Sequence, residues 1–342
     1  MKKIFFSIFL ALSCMVVLHT SVAKIIEVDF DTSMGIEEQG RYNLMSRDGK
    51  KSKKILDAFR DLYNTNLPSK IVASKSTKIP KIIHRIWIGP RPFPEQYKKC
   101  LDSCKRLHPD WKFILWTNKD IDKVLDINPK YKWLFNEYKY KKTVYQAQKD
   151  ILEYLILYKY GGIYLDADIK CFKNMNEIVH SYKFFAGIEP PSRWTNSPVL
   201  SNRVVGSSPR NKIIADTLNI SNSSYKNIYK EKNNSFLKRI ARRIFKGKYI
   251  KIPDAKKALM VSLTKSVVKN RTQQEVIVFP ATYFDAIFPN TKRYDVLDEI
   301  KVRLGIYKNK NKLFNNLKPE TISISTDFVP SEDLLVMEKN GG

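Results

Sequence analysis

Y-K-Y-G-G-I-Y-L-D-A-D, residues 158–168, carries a helix end, a short strand and a pair of carboxylates in direct succession. Upstream of it, Ile151, Leu152, Leu155, Ile156 and Tyr158 recur at helical spacing and predict a helix over 143–160. Gly161 and Gly162 stop that helix, because glycine accepts the left-handed backbone on which helices end. Residues 163–165 then read as a buried strand, with Asp166 and Asp168 at or just beyond its end. In α/β proteins ligands bind outside the carboxyl ends of the strands, and two hard oxygen donors there suit Mg²⁺ or Mn²⁺. Such an ion keeps waters and takes its remaining ligands from substrate phosphates. The pair therefore points to a diphosphate whose departing charge needs stabilising. Alone, D-x-D is a weak signal, since acidic residues end many strands.

The flanking segments supply context. I-P-K-I-I-H-R-I-W-I-G-P, residues 79–90, predicts a strand over 81–88 followed by a loop. Trp87 ends that strand, where an indole facing the ligand crevice stacks on a flat base; the alternative is a core tryptophan. His84 reads as a structural strand residue. A helix is predicted over 94–107, a strand over 111–116, and short helices over 119–126 and 130–141. Strands at 184–188, 204–205 and 276–279 and a helix at 254–268 complete the alternation. Strands alternating with helices argue for an α/β fold with a mostly parallel sheet. In A-Q-K-D-I-L-E-Y, Asp150 falls on the amino half of the long helix and leads toward the acidic loop; the alternative is a solvated face. Residues 24–78 form an N-terminal extension, helical over 51–64 and linker-like around 69–78.

Composition bounds the rest. The chain has 342 residues, 43% hydrophobic and 12% aromatic, which suits a large core and excludes a disordered or collagen-like chain. Residues 1–23 read as a secretory signal: Lys2 and Lys3, an apolar stretch to Leu18, then Ser21-Val22-Ala23 as the cleavage site. The apolar stretch falls short of the roughly 20 residues of a spanning helix, which disfavours the alternative of an uncleaved membrane anchor. Its removal leaves Cys100, Cys104 and Cys171, an odd number, and the expectation is buried thiols. The formal charge of +27 attracts polyanions: nucleic acid, anionic lipid or phosphorylated small molecules. Residues 226–251 concentrate basic groups, with Phe236, Leu237, Ile240, Ile244 and Phe245 at helical spacing among them. This basic helical insertion is a solvated face packed by its apolar side, or an interfacial segment over 236–246 on an anionic membrane surface. Nucleic acid is disfavoured, because no reader motif is present. The end beyond about 332 reads as a loose tail.

The two motifs, in this order and separation, resemble the DXD-containing sugar-binding glycosyltransferase family. That family includes fungal Golgi initiating mannosyltransferases and bacterial capsule enzymes, and is distantly similar to the large clostridial glucosylating toxins. The resemblance covers roughly residues 79–210 and, loosely, to about 290. It implies a GT-A fold with added helices across 79–332. It also implies a nucleotide-diphospho-sugar donor, a divalent metal, often Mn²⁺, and transfer with retention. Trp87 matches the tryptophan that stacks on the nucleotide base, and Asp150 the aspartate of S-D-x-x-R-Y that contacts donor hydroxyls. Asp166 and Asp168 match the DXD pair, the first at ribose and metal, the second a direct metal ligand. Asn202, in S-N-R-V-V-G-S, resembles an asparagine near the reacting sugar.

Two departures stand out. Glu153 occupies the place where the family usually carries Arg, and a carboxylate cannot hold phosphate oxygens as Arg does. Lys149 is adjacent in sequence but is expected to point elsewhere on the helix. The late Gly-Pro and the late His or Ser-Trp of relatives are also missing: no His follows His180 and no Trp follows Trp194. The reading is a metal-dependent retaining hexosyltransferase with a glycan, lipid or protein hydroxyl as acceptor, acting in the secretory pathway or after export. Its rivals are a catalytically impaired nucleotide- or glycan-binding relative and a basic membrane-associated protein.

Overall fold

The computed structural model describes residues 24–34, 49–137, 144–190, 197–233, 255–284 and 318–325. The signal reading of 1–23, the basic stretch 236–246 and the tail 333–342 lie outside the described residues.

The chain enters through α1 (Phe30–Met34) and α2 (Lys50–Thr65), then alternates: β1 (Ile82–Ile86), α3 (Glu95–Leu107), β2 (Lys112–Trp116), and the short α4 (Ile121–Leu125) and α5 (Lys132–Glu137). The long α6 (Val144–Tyr160) leads into β3 (Gly162–Leu165), β4 (Ile169–Cys171), α7 (Asn176–Ser181) and β5 (Phe184–Ile188). β6 (Leu200–Ser207), α8 (Lys212–Asn233), α9 (Ala255–Lys269), β7 (Val276–Phe279) and β8 (Ser323–Ser325) follow.

Six strands form one sheet in the order β2-β1-β3-β6-β5-β7. β1 is parallel to β2 and β3, and β5 to β7, while β6 runs antiparallel to both of its neighbours. The predicted mostly parallel α/β sheet is therefore present, with that one reversal. β3, β5 and β7 are almost continuous apolar runs, as expected where both faces of a sheet are covered. β3, β5 and β7 are buried along their whole lengths.

α6 is the central helix. Every residue from Ile151 to Leu157 is buried, as expected of a helix enclosed on all sides by α4, α5, α8, α9 and the sheet. Gly161 and Gly162 have φ of 63° and 93°. A Cβ on Gly162 would lie 2.6 Å from the Ile82 carbonyl oxygen and 2.9 Å from His84 Nε2, so only glycine lets β3 start this close to β1. The helix end thus delivers the chain straight into the middle of the sheet, and Leu165 ends β3 beside the carboxyl ends of β1 and β2.

The N-terminal extension joins the same core. Phe30, Met34, Phe59, Leu62 and Tyr63 pack into it, and the Tyr63 and Tyr283 hydroxyls meet at 2.9 Å.

Several elements differ from expectation. Cys104 and Cys171 form a disulfide between α3 and β4, correcting the expectation of buried thiols; Cys100 remains a buried thiol. A sequence separation of 67 carries no spacing signal, and only the fold brings the two together. α7 and the β4–β8 ladder were not predicted, and α8 begins well before the basic run at Lys212. Among the described residues no helix is long and apolar enough to cross a membrane.

Candidate active site

The D-A-D segment is a tight turn at the carboxyl end of β3. The Asp166 N–H donates to the Arg203 carbonyl on β6 at 2.9 Å, and the Ile169 N–H donates to the Asp166 carbonyl at 3.1 Å. Beneath it lies Arg85, only 1% exposed on β1. Its Nη1 donates to the Ala167 carbonyl at 2.7 Å and its Nη2 to the Ile169 carbonyl at 2.8 Å, so one guanidinium spans both sides of Asp168. Burial lowers the Arg85 pKa, and the nearby acids Asp168 and Asp166 oppose that shift. From the other side Ser325 on β8 donates its hydroxyl to Asp168 Oδ2. The ladder Ile169↔Ser325 to Cys171↔Ser323 fixes β8 there, and the disulfide ties β4 to α3.

Asp166 has a cationic neighbour that sequence reasoning placed elsewhere. Lys149 Nζ donates to Asp166 Oδ1 and to the Tyr164 hydroxyl at 3.0 Å, and lies 3.3 Å from Asp150 Oδ1. The Tyr164 hydroxyl itself donates to Asp166 Oδ1 at 2.7 Å. The expectation that Lys149 points away is corrected: its four-carbon stem reaches along the helix end to the acidic turn. Burial alone would lower the Lys149 pKa, but Asp166, Tyr164, Asp150 and Glu153 together hold it well above the usual lysine value.

Asp150 and Glu153 are both fully buried on α6, behind Lys149 and away from the cleft surface. Both Glu153 carboxyl oxygens lack a hydrogen-bond partner among the described residues. Burial, reinforced by Asp150 and Asp166 and opposed by Lys149, pushes the Glu153 pKa well above the ordinary glutamate value. The neutral acid is the form this site favours.

A cleft of about 480 Å³ opens above the turn. Its floor is Asp166, Ala167, Asp168 and Lys149; its walls are Trp87 to Arg91, Tyr97, Tyr145 and Gln146. Trp87 is half-buried, held edge-on by Phe93 and Tyr97 at 5.6 and 5.7 Å, with its indole N–H on the Arg91 carbonyl at 2.8 Å. It therefore lines the crevice rather than the core. Tyr145, 47% exposed, lies with its ring against Gly89 on the same wall, a platform that sequence reasoning missed. Asn202 is buried on β6 and does not line the cleft, and its Nδ2 has no hydrogen-bond partner among the described residues. β6 register carries it alongside the D-A-D turn, because Val204 pairs with Leu165.

His84 is structural, as its strand position suggested. Trp116 Nε1–H donates to His84 Nδ1 at 3.2 Å, and His84 Nε2 donates to the Gly161 carbonyl at 2.9 Å. Burial pulls its pKa down to about 4, aided by the charge of Lys112 and opposed by the Gly161 bond.

The donor set fits a small hard cation in part. Asp166 and Asp168 supply two carboxylates on the cleft floor, and no group of three or more His, Cys, Asp or Glu is assembled among the described residues. Two carboxylates leave positions for water and phosphate oxygens, which is the usual binding mode of Mg²⁺ in phosphate sites.

Comparison with known proteins identifies the segment that builds this floor. The model of the glycosyltransferase sugar-binding region containing a DXD motif matches residues 94–185. This region of the chain is similar to the DXD-containing sugar-binding glycosyltransferase family. Lys149, Asp150, Glu153, Asp166 and Asp168 all fall inside the matched region, while Trp87 and Asn202 flank it. Inositol phosphoceramide mannosyltransferase 3 of Schizosaccharomyces pombe is 35% identical over 147 residues, covering 43% of this chain and 37% of that protein. An uncharacterized glycosyltransferase of Acanthamoeba polyphaga mimivirus is 30% identical over 174 residues, covering 47% of this chain and 66% of that protein. The solved structure titled PaToxG Glycosyltransferase aligns at a TM-score of 0.40 and 18% identity, over 67% of this chain and 79% of that one, a likeness too low to inform the site. The chain thus spans just over a third of the length of the yeast relative. The observed α/β sheet agrees with the GT-A architecture that the resemblance implied.

Proposed function

We propose that this chain is a metal-dependent hexosyltransferase that moves a sugar from a nucleotide-diphospho-sugar to a hydroxyl acceptor with retention of configuration. The observation that carries this reading is the D-A-D turn, held at the end of β3 on the floor of a cleft with Trp87 on its wall. Asp166 and Asp168 would hold Mn²⁺ or Mg²⁺, which when bound neutralises the charge developing on a departing nucleoside diphosphate. Trp87 offers its face to the base. Among the described residues the cleft lining includes no carboxylate besides Asp166 and Asp168, and the retaining reading has the acceptor attack on the leaving-group face.

Mannose is the preferred donor sugar and a lipid-linked hydroxyl the preferred acceptor, on the strength of the yeast inositol phosphoceramide mannosyltransferase. The Cys104–Cys171 disulfide supports a secretory or lumenal setting, because such bonds persist in oxidising compartments. Two observations favour a second reading, a catalytically impaired relative: Lys149 is engaged with Asp166, and the buried Glu153 stands where the resembled family usually carries Arg. A panel of nucleotide sugars incubated with and without Mn²⁺ separates the two. The proposal expects metal-dependent release of nucleoside diphosphate from at least one donor, GDP-mannose first. Nucleotide binding without turnover on any donor would favour the impaired relative.

A further inference from the structure

The floor of the cleft holds a cation that belongs to the protein itself. Lys149 Nζ sits on Asp166 Oδ1, the same oxygen that Tyr164 donates to, and is 15% exposed toward the cleft. It also lies 3.3 Å from Asp150 Oδ1, and its charge acts on Glu153 one turn further along α6. Among the described residues this ammonium therefore lies close to several acids that are buried or nearly so. A divalent ion and an ammonium compete for one carboxylate oxygen, since each draws on the same negative charge in a site of low dielectric.

We propose that Lys149 is the resident counter-ion of Asp166 and couples metal binding to diphosphate binding. This rests on the glycosyltransferase reading above. With the cleft empty, Lys149 neutralises Asp166 and weakens its affinity for a divalent ion. Lys149 leaves Asp166 for a metal at little cost only when other oxygens receive its ammonium. Asp150 already shares the ammonium at 3.3 Å, so the new acceptors are the oxygens of a diphosphate in the cleft. The ammonium is then a diphosphate contact supplied from one position on the helix, while Glu153 stays buried behind it. Metal and nucleotide accordingly bind as a pair, each tightening the other by the same factor, as linkage requires.

The test measures Mn²⁺ binding directly, by the loss of the free Mn²⁺ electron paramagnetic resonance signal, with and without GDP or UDP. Native protein is expected to bind Mn²⁺ alone weakly, and saturating nucleotide to tighten it by roughly tenfold or more. Lys149→Gln is expected to bind Mn²⁺ alone roughly tenfold tighter than native, with the nucleotide-induced gain largely lost. Lys149→Arg keeps the charge and should retain the coupling, which separates counter-ion chemistry from general damage; thermal unfolding of each variant checks that it is folded. Native protein that binds Mn²⁺ and nucleotide together, with Lys149→Gln showing unchanged Mn²⁺ affinity and unchanged coupling, overturns the proposal and leaves the transferase reading standing. Native protein that binds neither Mn²⁺ nor either nucleotide overturns both.

Discussion

Replacing Arg85 by Met removes the fork under the D-A-D turn while keeping most of the buried volume. In the native protein the guanidinium bonds the Ala167 and Ile169 carbonyls at 2.7 and 2.8 Å, in a position 1% exposed. Charge-assisted bonds of this kind contribute about 1.5–3 kcal/mol each, so two contribute about 3–6 kcal/mol in gross terms. Removing a guanidinium from the interior recovers part of that, since Arg85 Nε has no partner among the described residues and its desolvation is already unfavourable. A net loss of about 2–4 kcal/mol results, dominated by two carbonyls left unpaired. Urea unfolding should register it as a lower midpoint. Arg85→Lys, which delivers a compact ammonium rather than a fork, should fall between the two. Because the carbonyls flank Asp168, the same change should weaken Mn²⁺-dependent nucleotide binding even where the protein remains folded. A loss below about 1 kcal/mol, with nucleotide affinity unaltered, would refute the bracing argument.

Trp87→Ala should weaken nucleoside diphosphate binding by about 1–3 kcal/mol, read by calorimetry or indole fluorescence quenching; an unchanged dissociation constant returns Trp87 to a structural role. His84 is neutral in the fold with its pKa pulled to about 4, so its contribution is intact above pH 6.5 and is lost as pH falls from 6.5 toward 4. Stability should drop by up to about 3 kcal/mol across that window, and His84→Gln should flatten the drop; equal slopes in both proteins contradict the assignment. Glu153 has the opposite sign, because its raised pKa means that the fold resists ionisation as pH rises above 4.5. Glu153→Gln should therefore be more stable than native at neutral pH, by on the order of 1 kcal/mol, and a clear destabilisation would mean that the charged form is needed.

The sheet and the acidic turn were legible because local signals agreed. The apolar spacing of α6, the double glycine and the D-A-D pair each fix one step of a continuous path from helix to strand to site. Trp87 was legible as a crevice residue from its place before Gly89 and Pro90. What escaped was long-range. β4 and β8 are three residues each, too short for periodicity, and they meet only because the chain returns after more than 150 residues. The Cys104–Cys171 bond depends on α3 lying over β4. Arg85 sits in a buried strand run where a charged residue normally faces water, and only the carbonyls of the turn explain it. Lys149 escaped for a different reason: helical position fixes where a Cβ points, but not where a long side chain ends. The middle of α8 carries N-I-S-N-S-S, whose polar residues mask its helical spacing.

The central claim is that Asp168 holds the metal on which transfer depends. The most direct measurement is donor hydrolysis by Asp168→Asn beside native protein, at saturating Mn²⁺, with circular dichroism to verify the fold. The account predicts a folded variant whose turnover falls by at least about 100-fold, since metal stabilisation of the leaving group is worth several kcal/mol. A folded variant that hydrolyses the donor at near-native rate would contradict it.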